Sequence, residues 1–334
     1  MKIQVKMSDI GKALGVSTVT VSKALADKDG VSDDLRAKIK AKAQELGYKM
    51  STVSQAMRTG RQNNIGILIS ERYLEEHSYY WSLYQSLLVE LIKKGLFGIL
   101  EIVSAQTENE QTMPRIISEN KVDAVILVGQ LRKRYLNKIT TEMQEKVIFL
   151  DFYDLYLPVS SVVADNYNGG YSLTKYLIDQ GHKDIVYVGD ITQTTSIMDR
   201  AMGYYKCMLD YELKTRPQWY INDRNEEGFI IDPNLPEKMP TAFVCNSDIT
   251  AKRLIDVLKK HNYRVPQDVS IVGYDNFPLE AHHDLGITTM EVGKDRLAQS
   301  AVKIIDNLLN GTNVPERINL SCKLVIKESV KKLN

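Results

Sequence analysis

From residue 65 onward, short runs that are apolar throughout alternate with stretches whose apolar residues recur at helical spacing. This alternation limits the chain to a narrow set of folds. The first series of runs is IGILIS at 65–70, FGILEIV at 97–103, DAVILV at 123–128 and KVIFLD at 146–151. Between them, Leu83, Leu87, Leu88 and Leu91 mark a helix stopped by Gly95, Ile116 and Ile117 mark another, and a further helix precedes residue 146. The second series is DIVYVG at 184–189, WYI at 219–221, AFVC at 242–245 and VSIVGYD at 269–275, with helices expected over 168–180, 198–211 and 248–261. A strand that is apolar on both sides must be covered on both sides, so each series predicts a parallel sheet between helical layers. Two such halves leave a cleft, and ligands in open α/β sheets sit outside the carboxyl ends of the strands.

The first fifty residues obey a different rule. Ile10, Ala13 and Leu14 fall on one face of a short helix, Gly15 supplies a stop, and Ser17 caps a second helix within GVSTVTVSKALA, residues 15–26. Val21, Ala24 and Leu25 are expected to face a small core, which turns Thr18, Val19, Thr20, Ser22 and Lys23 outward. Hydroxyls, a methyl-bearing side chain and one cation suit a major groove, where they meet base edges, thymine methyls and phosphates. Ser32 with Asp33 and Asp34 starts a third helix carrying Leu35, Ile39, Ala43 and Leu46, closed by Gly47. Residues 1–64 hold twelve basic and six acidic side chains, a charge of +6; the whole chain carries +1, so the remainder carries −5. A basic head on an acidic body is the charge division of a polyanion-binding module joined to another domain.

MSDIGKALGVSTVTVSKALADKDGVSDDLRAKIKAKAQELGY at 7–48 resembles the DNA-binding head of the lactose-repressor/galactose-repressor family of bacterial transcriptional regulators. The resemblance extends over nearly all 334 residues and implies a small all-α helix-turn-helix head at 1–49, a hinge helix or linker at 50–64, and a two-lobed α/β periplasmic-binding-protein-like effector domain at 65–330. In that domain two doubly wound parallel-sheet subdomains are expected, one from about 65–160 and 293–320, the other from about 161–292 and 321–330. The resemblance places Met57 where an apolar wedge enters the minor groove, beside Ser17, Thr18, Val19, Thr20, Ser22, Lys23 and Ser32 as DNA contacts. The hinge departs from the family pattern at Met50, Ser51, Ser54 and Gln55. The segment from Trp219 to Ala242 is shorter than in relatives and carries Pro233, Pro236 and Pro240, so the helix common there is expected to be missing.

Polar residues at the predicted strand ends are candidates for an effector site: Ser70, Asp151, Ser196, Arg200, Ser247, Asp248 and Asp275. Carboxylates and a guanidinium can exchange hydrogen bonds with the hydroxyls of a polyol, while Tyr80 and Trp81 cover its C–H face. The resemblance supports Arg200 and Gly203 as an RxxG element and Asp275 as the acid of a GYD turn. Trp219 is a weaker aromatic candidate near Asp223.

Catalytic, metal and cofactor readings find no support. The chain has no GxxxxGK, GxGxxG, HExxH or GxSxG, the five histidines lack metal-ligand spacing, and Cys207, Cys245 and Cys322 form no CxxC pair. No apolar run reaches the ~18 residues of a membrane span, and MKIQVKMSD lacks the apolar block of a signal peptide, so a cytoplasmic protein is expected. The reading is a homodimeric repressor of a carbohydrate-utilisation operon, bound to near-palindromic double-stranded operator DNA and controlled by a mono- or disaccharide in the cleft. The alternatives are a nucleobase-responsive corepressor system and, from another class, a carbohydrate-processing enzyme fused to a DNA-binding head.

Overall fold

The structure, a computed structural model, describes residues 5–48, 61–74, 79–277 and 285–333. The chain divides into two units, Met1–Gln62 and Asn63–Asn334. Met57, Met50, Ser51, Ser54 and Gln55 lie outside the described residues.

In the first unit α1 (Met7–Leu14), α2 (Thr18–Leu25) and α3 (Asp33–Glu45) pack around Ile10, Val21, Ala24, Ile39 and Ala43. Gly15 ends α1 in the left-handed conformation at φ 68°, and Ser17 Oγ accepts from Thr20 N at the start of α2. Gly11 was not flagged by the sequence, yet a side-chain carbon there would lie 2.7 Å from Val16 O, so the turn can fold back on α1 only over a glycine. Ala13, expected in the core, is exposed; Gly11 takes the inward position instead.

The second unit opens with a six-stranded sheet of order β11-β5-β4-β3-β1-β2, every neighbouring pair parallel. Its strands are β1 (Asn64–Ser70), β2 (Phe97–Val103), β3 (Ala124–Val128), β4 (Val147–Leu150), β5 (Ser160–Ala164) and β11 (Arg317–Leu320). Helix α4 (Tyr79–Lys93) lays Leu83, Leu87 and Leu91 into the core, each worth roughly 1.5–3 kcal/mol of apolar burial. Short helices α5 (Ala105–Glu110) and α6 (Arg115–Ser118) and then α7 (Lys133–Met143) complete the first lobe together with α11 (Lys294–Leu309), which returns to pack on α4.

The second lobe is a four-stranded parallel sheet of order β7-β6-β8-β9, from β6 (Ile185–Val188), β7 (Tyr220–Ile221), β8 (Ala242–Cys245) and β9 (Ser270–Val272). Helices α8 (Asn166–Asp179), α9 (Thr195–Asp210) and α10 (Asp248–Lys260) cover it. Between Ile221 and Ala242 no helix forms among the described residues. Strand β10 (Thr289–Glu291) pairs antiparallel with β12 (Lys323–Val325), where the chain crosses between lobes.

The first lobe extends further than the expected boundary at 160. The run SSVVA at 160–164 is a fourth central strand of its sheet, pairing with both β4 and β11. The first crossing therefore falls at Asp165, whose side chain caps α8 by accepting from Asn168 N. Further along, β11 lies in the first sheet, and Ser329 Oγ donates to Ile271 O of the second lobe. No helix among the described residues is long and apolar enough to cross a membrane.

Candidate functional sites

On the head, α2 presents Thr18, Val19, Ser22 and Lys23 to solvent. Val19 is 65% exposed, an apolar side chain left in water on an otherwise polar face. Lys38, Lys40 and Lys42 are tied to Asp34, Asp27 and Glu45, whereas Lys23 has no ion pair among the described residues and its ammonium is available to phosphate or guanine. Ser17 and Thr20 serve the helix as well as its face, since their hydroxyls bond each other at 2.9 Å and Thr20 is half-buried. Ser32 is exposed and caps α3, accepting from Leu35 N at 3.4 Å.

In the second unit, a cavity of about 70 Å³ opens at the carboxyl ends of both large sheets. Six expected residues line it: Tyr80, Asp151, Ser196, Arg200, Ser247 and Asp275. Arg200 is placed by three glycines. A side-chain carbon at Gly203 would lie 2.0 Å from Tyr167 O, and one at Gly170 would lie 2.1 Å from Arg200 O, so α8 and α9 meet backbone to backbone. At Gly169 the same substitution would strike Tyr274 Oη at 2.3 Å. The Arg200 guanidinium consequently stacks 3.8 Å from the centre of the Tyr274 ring and donates to Asn166 Oδ1 (2.7 Å) and Asn246 O (2.6 Å). It faces Asp275 Oδ1 at 3.6 Å. Burial alone would lower its pKa, but the negative groups around it, Asp275 first, reverse the direction and keep it charged.

Asp151 and Asp275 both follow strands with positive φ, 68° and 104°, a strained conformation for a non-glycine residue. Asp151 Oδ2 accepts from Tyr80 Oη at 2.8 Å, while its Oδ1 is buried without a hydrogen-bond partner. Burial raises the Asp151 pKa, opposed by Arg200 and the Tyr80 hydroxyl. Burial also holds Asp275 well above the usual carboxylate range, with Arg200 opposing. Ser196 Oγ bridges the lobes by donating to Asp151 O at 2.5 Å, and Ser247 caps α10 by accepting from Thr250 N.

Three expected contacts do not reach the cavity. Ser70 turns to the other side of its sheet, where its hydroxyl donates to the buried Glu108 carboxylate at 2.9 Å. Trp81 is 43% exposed and packs on Tyr84, because one residue along a helix rotates the side chain about 100° away from Tyr80. Asp248 is tucked beneath β9, with Oδ2 accepting from Phe277 N at 2.9 Å and Oδ1 only 2.1 Å from where a side-chain carbon on Gly273 would sit. Trp219 is likewise structural, stacked on Tyr204 at 5.9 Å. The sequence missed Arg72, Tyr73, Arg224 and Ile230, which line the cavity from loops after β1 and β7. Tyr79, at the start of α4, lines it too. No group of three or more candidate metal ligands occurs among the described residues.

The geometry agrees with the comparisons. Residues 6–51 match bacterial regulatory proteins of the lacI family, and residues 174–330 match the periplasmic binding protein-like domain. The chain is 24% identical over 334 residues to the HTH-type transcriptional repressor PurR of Vibrio campbellii, covering 98% of this chain and 99% of that one. Among solved structures, a lac repressor dimer bound to operator and the anti-inducer ONPF superposes with a TM-score of 0.78 at 20% identity, covering 98% and 99% of the two chains. The complex of the transcriptional regulator CelR with cellobiose gives 0.67 at 21% identity, covering 98% and 100%. These likenesses place the fold over both units, and the proteins they join it to are named as regulators rather than enzymes.

Proposed function

Since the chain belongs to the lactose-repressor/galactose-repressor family of bacterial transcriptional regulators and is a DNA-binding repressor, we propose that it controls a carbohydrate-utilisation operon through a small sugar held between its lobes. The observation that carries the sugar reading is Asp151. Asp151 lines a cavity walled by Tyr73, Tyr79 and Tyr80 and its buried Oδ1 has no hydrogen-bond partner; a sugar hydroxyl can donate to such an oxygen while the ring's C–H face lies on the aromatics. Arg200 and Asp275 then complete the polar end. The lac repressor and CelR structures contain ligands named ONPF and cellobiose, which is consistent with this class for the present cavity.

The protein acts in the cytoplasm as a homodimer, because one short α2 reads few bases and two symmetric heads read a near-palindrome. Val89, Ile92, Phe97 and Ile102 are exposed apolar residues on α4 and β2 of the first lobe, the face through which the two copies pair. The DNA contacts are Ser17, Thr18, Val19, Thr20, Ser22, Lys23 and Ser32.

A planar nucleobase is the second reading, favoured by the Tyr73 and Tyr80 rings 4.7 Å apart at the cavity wall. In vitro selection of a binding sequence with the purified protein, followed by titration of that duplex with mono- and disaccharides and with nucleobases, separates the two. Release or tightening by a sugar supports the first reading, and a response confined to nucleobases replaces it with the second.

A further inference from the structure

The cavity is polarised along its length by the order of the strands that feed it. In the first sheet Arg72 follows β1 and Asp151 follows β4; β3 lies between, so the two ends are about 10 Å apart at the usual strand spacing. In the second sheet Arg224 follows β7 and Asp275 follows β9, three spacings or about 14 Å apart. The two loops carrying arginines face one another across the cleft. A side-chain carbon on Gly228 would lie 3.1 Å from Arg72 Cδ, and Arg224 Nη1 donates to Gly228 O at 3.2 Å.

Neither arginine is saturated. The Arg224 side chain is nine-tenths buried, yet its Nε has no hydrogen-bond partner. The nearest carboxylate oxygen, Asp223 Oδ1, stands 3.8 Å away because Asp223 is already held by Asp190 N, Asn246 Nδ2 and Thr250 Oγ1. Arg72 uses a single nitrogen, Nη2, for Gln130 O at 2.9 Å and Glu108 at 3.3 Å. Two buried guanidinium groups with donors to spare, one from each lobe, form a fork for an oxyanion.

We propose that the effector is an acidic carbohydrate whose hydroxyls meet Asp151 and whose phosphate or carboxylate lies between Arg72 and Arg224. This rests on the carbohydrate reading above and adds a charge to it. The acidic group sits at the end of the cavity away from the Asp151 and Asp275 carboxylates; the carboxylates nearest it, Glu108 and Asp223, are already engaged by Ser70 and Arg132 N and by Asp190 N, Asn246 and Thr250, while both arginines gain an acceptor.

The test is calorimetric titration of the full-length protein with matched sets built on glucose, galactose, mannose and ribose, each as the neutral sugar, its phosphate and its sugar acid, with inorganic phosphate as the bare anion. In the set that binds, the acidic member is expected to bind about tenfold or more tightly than the neutral one and to weaken as salt is raised. Arg224→Gln is expected to erase that preference, so that within the variant the acidic and neutral members bind about equally; phosphate and carboxylate members distinguish the two anion sources. Equal binding of neutral and acidic members, or a preference that survives Arg224→Gln, overturns the proposal and leaves the carbohydrate reading standing. Absence of binding by every sugar overturns the carbohydrate reading itself.

Discussion

Gly203→Ala puts one methyl group into the contact that seats Arg200. The new carbon would lie 2.0 Å from Tyr167 O, whereas ordinary contact begins near 3.4 Å, so α9 must withdraw from α8 by about 1.4 Å. The Arg200–Asn166 hydrogen bond spans the same two helices at 2.7 Å, and a retreat of that size takes it beyond bonding distance. Overpacking costs about 1–3 kcal/mol, and loss of a charge-assisted bond adds a comparable amount, for a total of roughly 3–5 kcal/mol. Trp219 packs on Tyr204 and Tyr205 of α9, so in a Trp81→Phe background its fluorescence reports on the second lobe alone. Urea unfolding followed at Trp219 is expected to lose that stability, while affinity for a selected duplex, measured without effector under native conditions, stays near wild type. A Gly203→Ala protein within about 0.5 kcal/mol of wild type would refute the backbone-to-backbone account of how Arg200 is placed.

Further outcomes follow from single side chains. Lys23→Ala is expected to weaken specific duplex binding about tenfold and to reduce the salt slope by about one, leaving effector binding unchanged; an unchanged slope removes Lys23 from the phosphates and base edges. Asp151→Asn is expected to lower sugar affinity about tenfold, since the uncharged amide is a weaker acceptor for the hydroxyl at Oδ1; calorimetry showing equal affinity assigns the polar contact elsewhere. Asp248 has its pKa pushed up to about 7, chiefly by burial, against about 3.9 when unfolded. The native state then holds the proton more tightly than the unfolded chain, so stability falls as pH rises through that window. Asp248→Asn lacks this loss and is expected to gain on wild type from pH about 4 to 7, by on the order of a few kcal/mol, with a constant difference above; parallel stability curves would contradict it.

The residues that the sequence placed well have positions fixed by the backbone pattern. Asp151 and Asp275 terminate apolar runs, and Val21 and Ile39 keep helical spacing within a head whose caps are written in Ser17 and Ser32. Those it misplaced depend on quantities that spacing does not encode. Ser70 ends a strand as surely as Asp151 does, but a strand offers alternate residues to opposite faces, and Ser70 falls on the side of Glu108. Trp81 depended on the rotation of α4 about its axis, which packing sets and which no cap in the described residues fixes. The strand β5 was overlooked because SSVVA follows Pro158 with only three apolar residues, and its burial comes from pairing with β4 and the distant β11. Arg72 and Arg224 lie in loops, where neither period applies, and they meet only because the two sheets present their carboxyl ends to one cleft.

The same helix that carries Arg200 also joins the lobes, and this links ligand binding to their relative placement. Near its start, Thr195 N donates to Gln130 Oε1 at 2.8 Å, Ser196 Oγ to Asp151 O, and Asp199 accepts from Tyr153 Oη at 3.0 Å. All three partners belong to the first lobe, so the amino end of α9 is one contact through which one lobe holds the other. Each such bond is worth about 0.5–1.5 kcal/mol net, so the three together amount to about 1.5–4.5 kcal/mol, the scale of a typical coupling free energy. A ligand that bonds Asp151 and Arg200 acts on both sides of this seam. If it binds one placement of the lobes more tightly by even two such bonds, about 1–3 kcal/mol, the equilibrium between placements shifts by roughly 5- to 150-fold, and a ligand indifferent to the seam shifts nothing, however tightly it binds. On the reading proposed above, control of the repressor depends less on the affinity of the cavity than on how differently its occupant binds placements of the lobes that keep or break this seam.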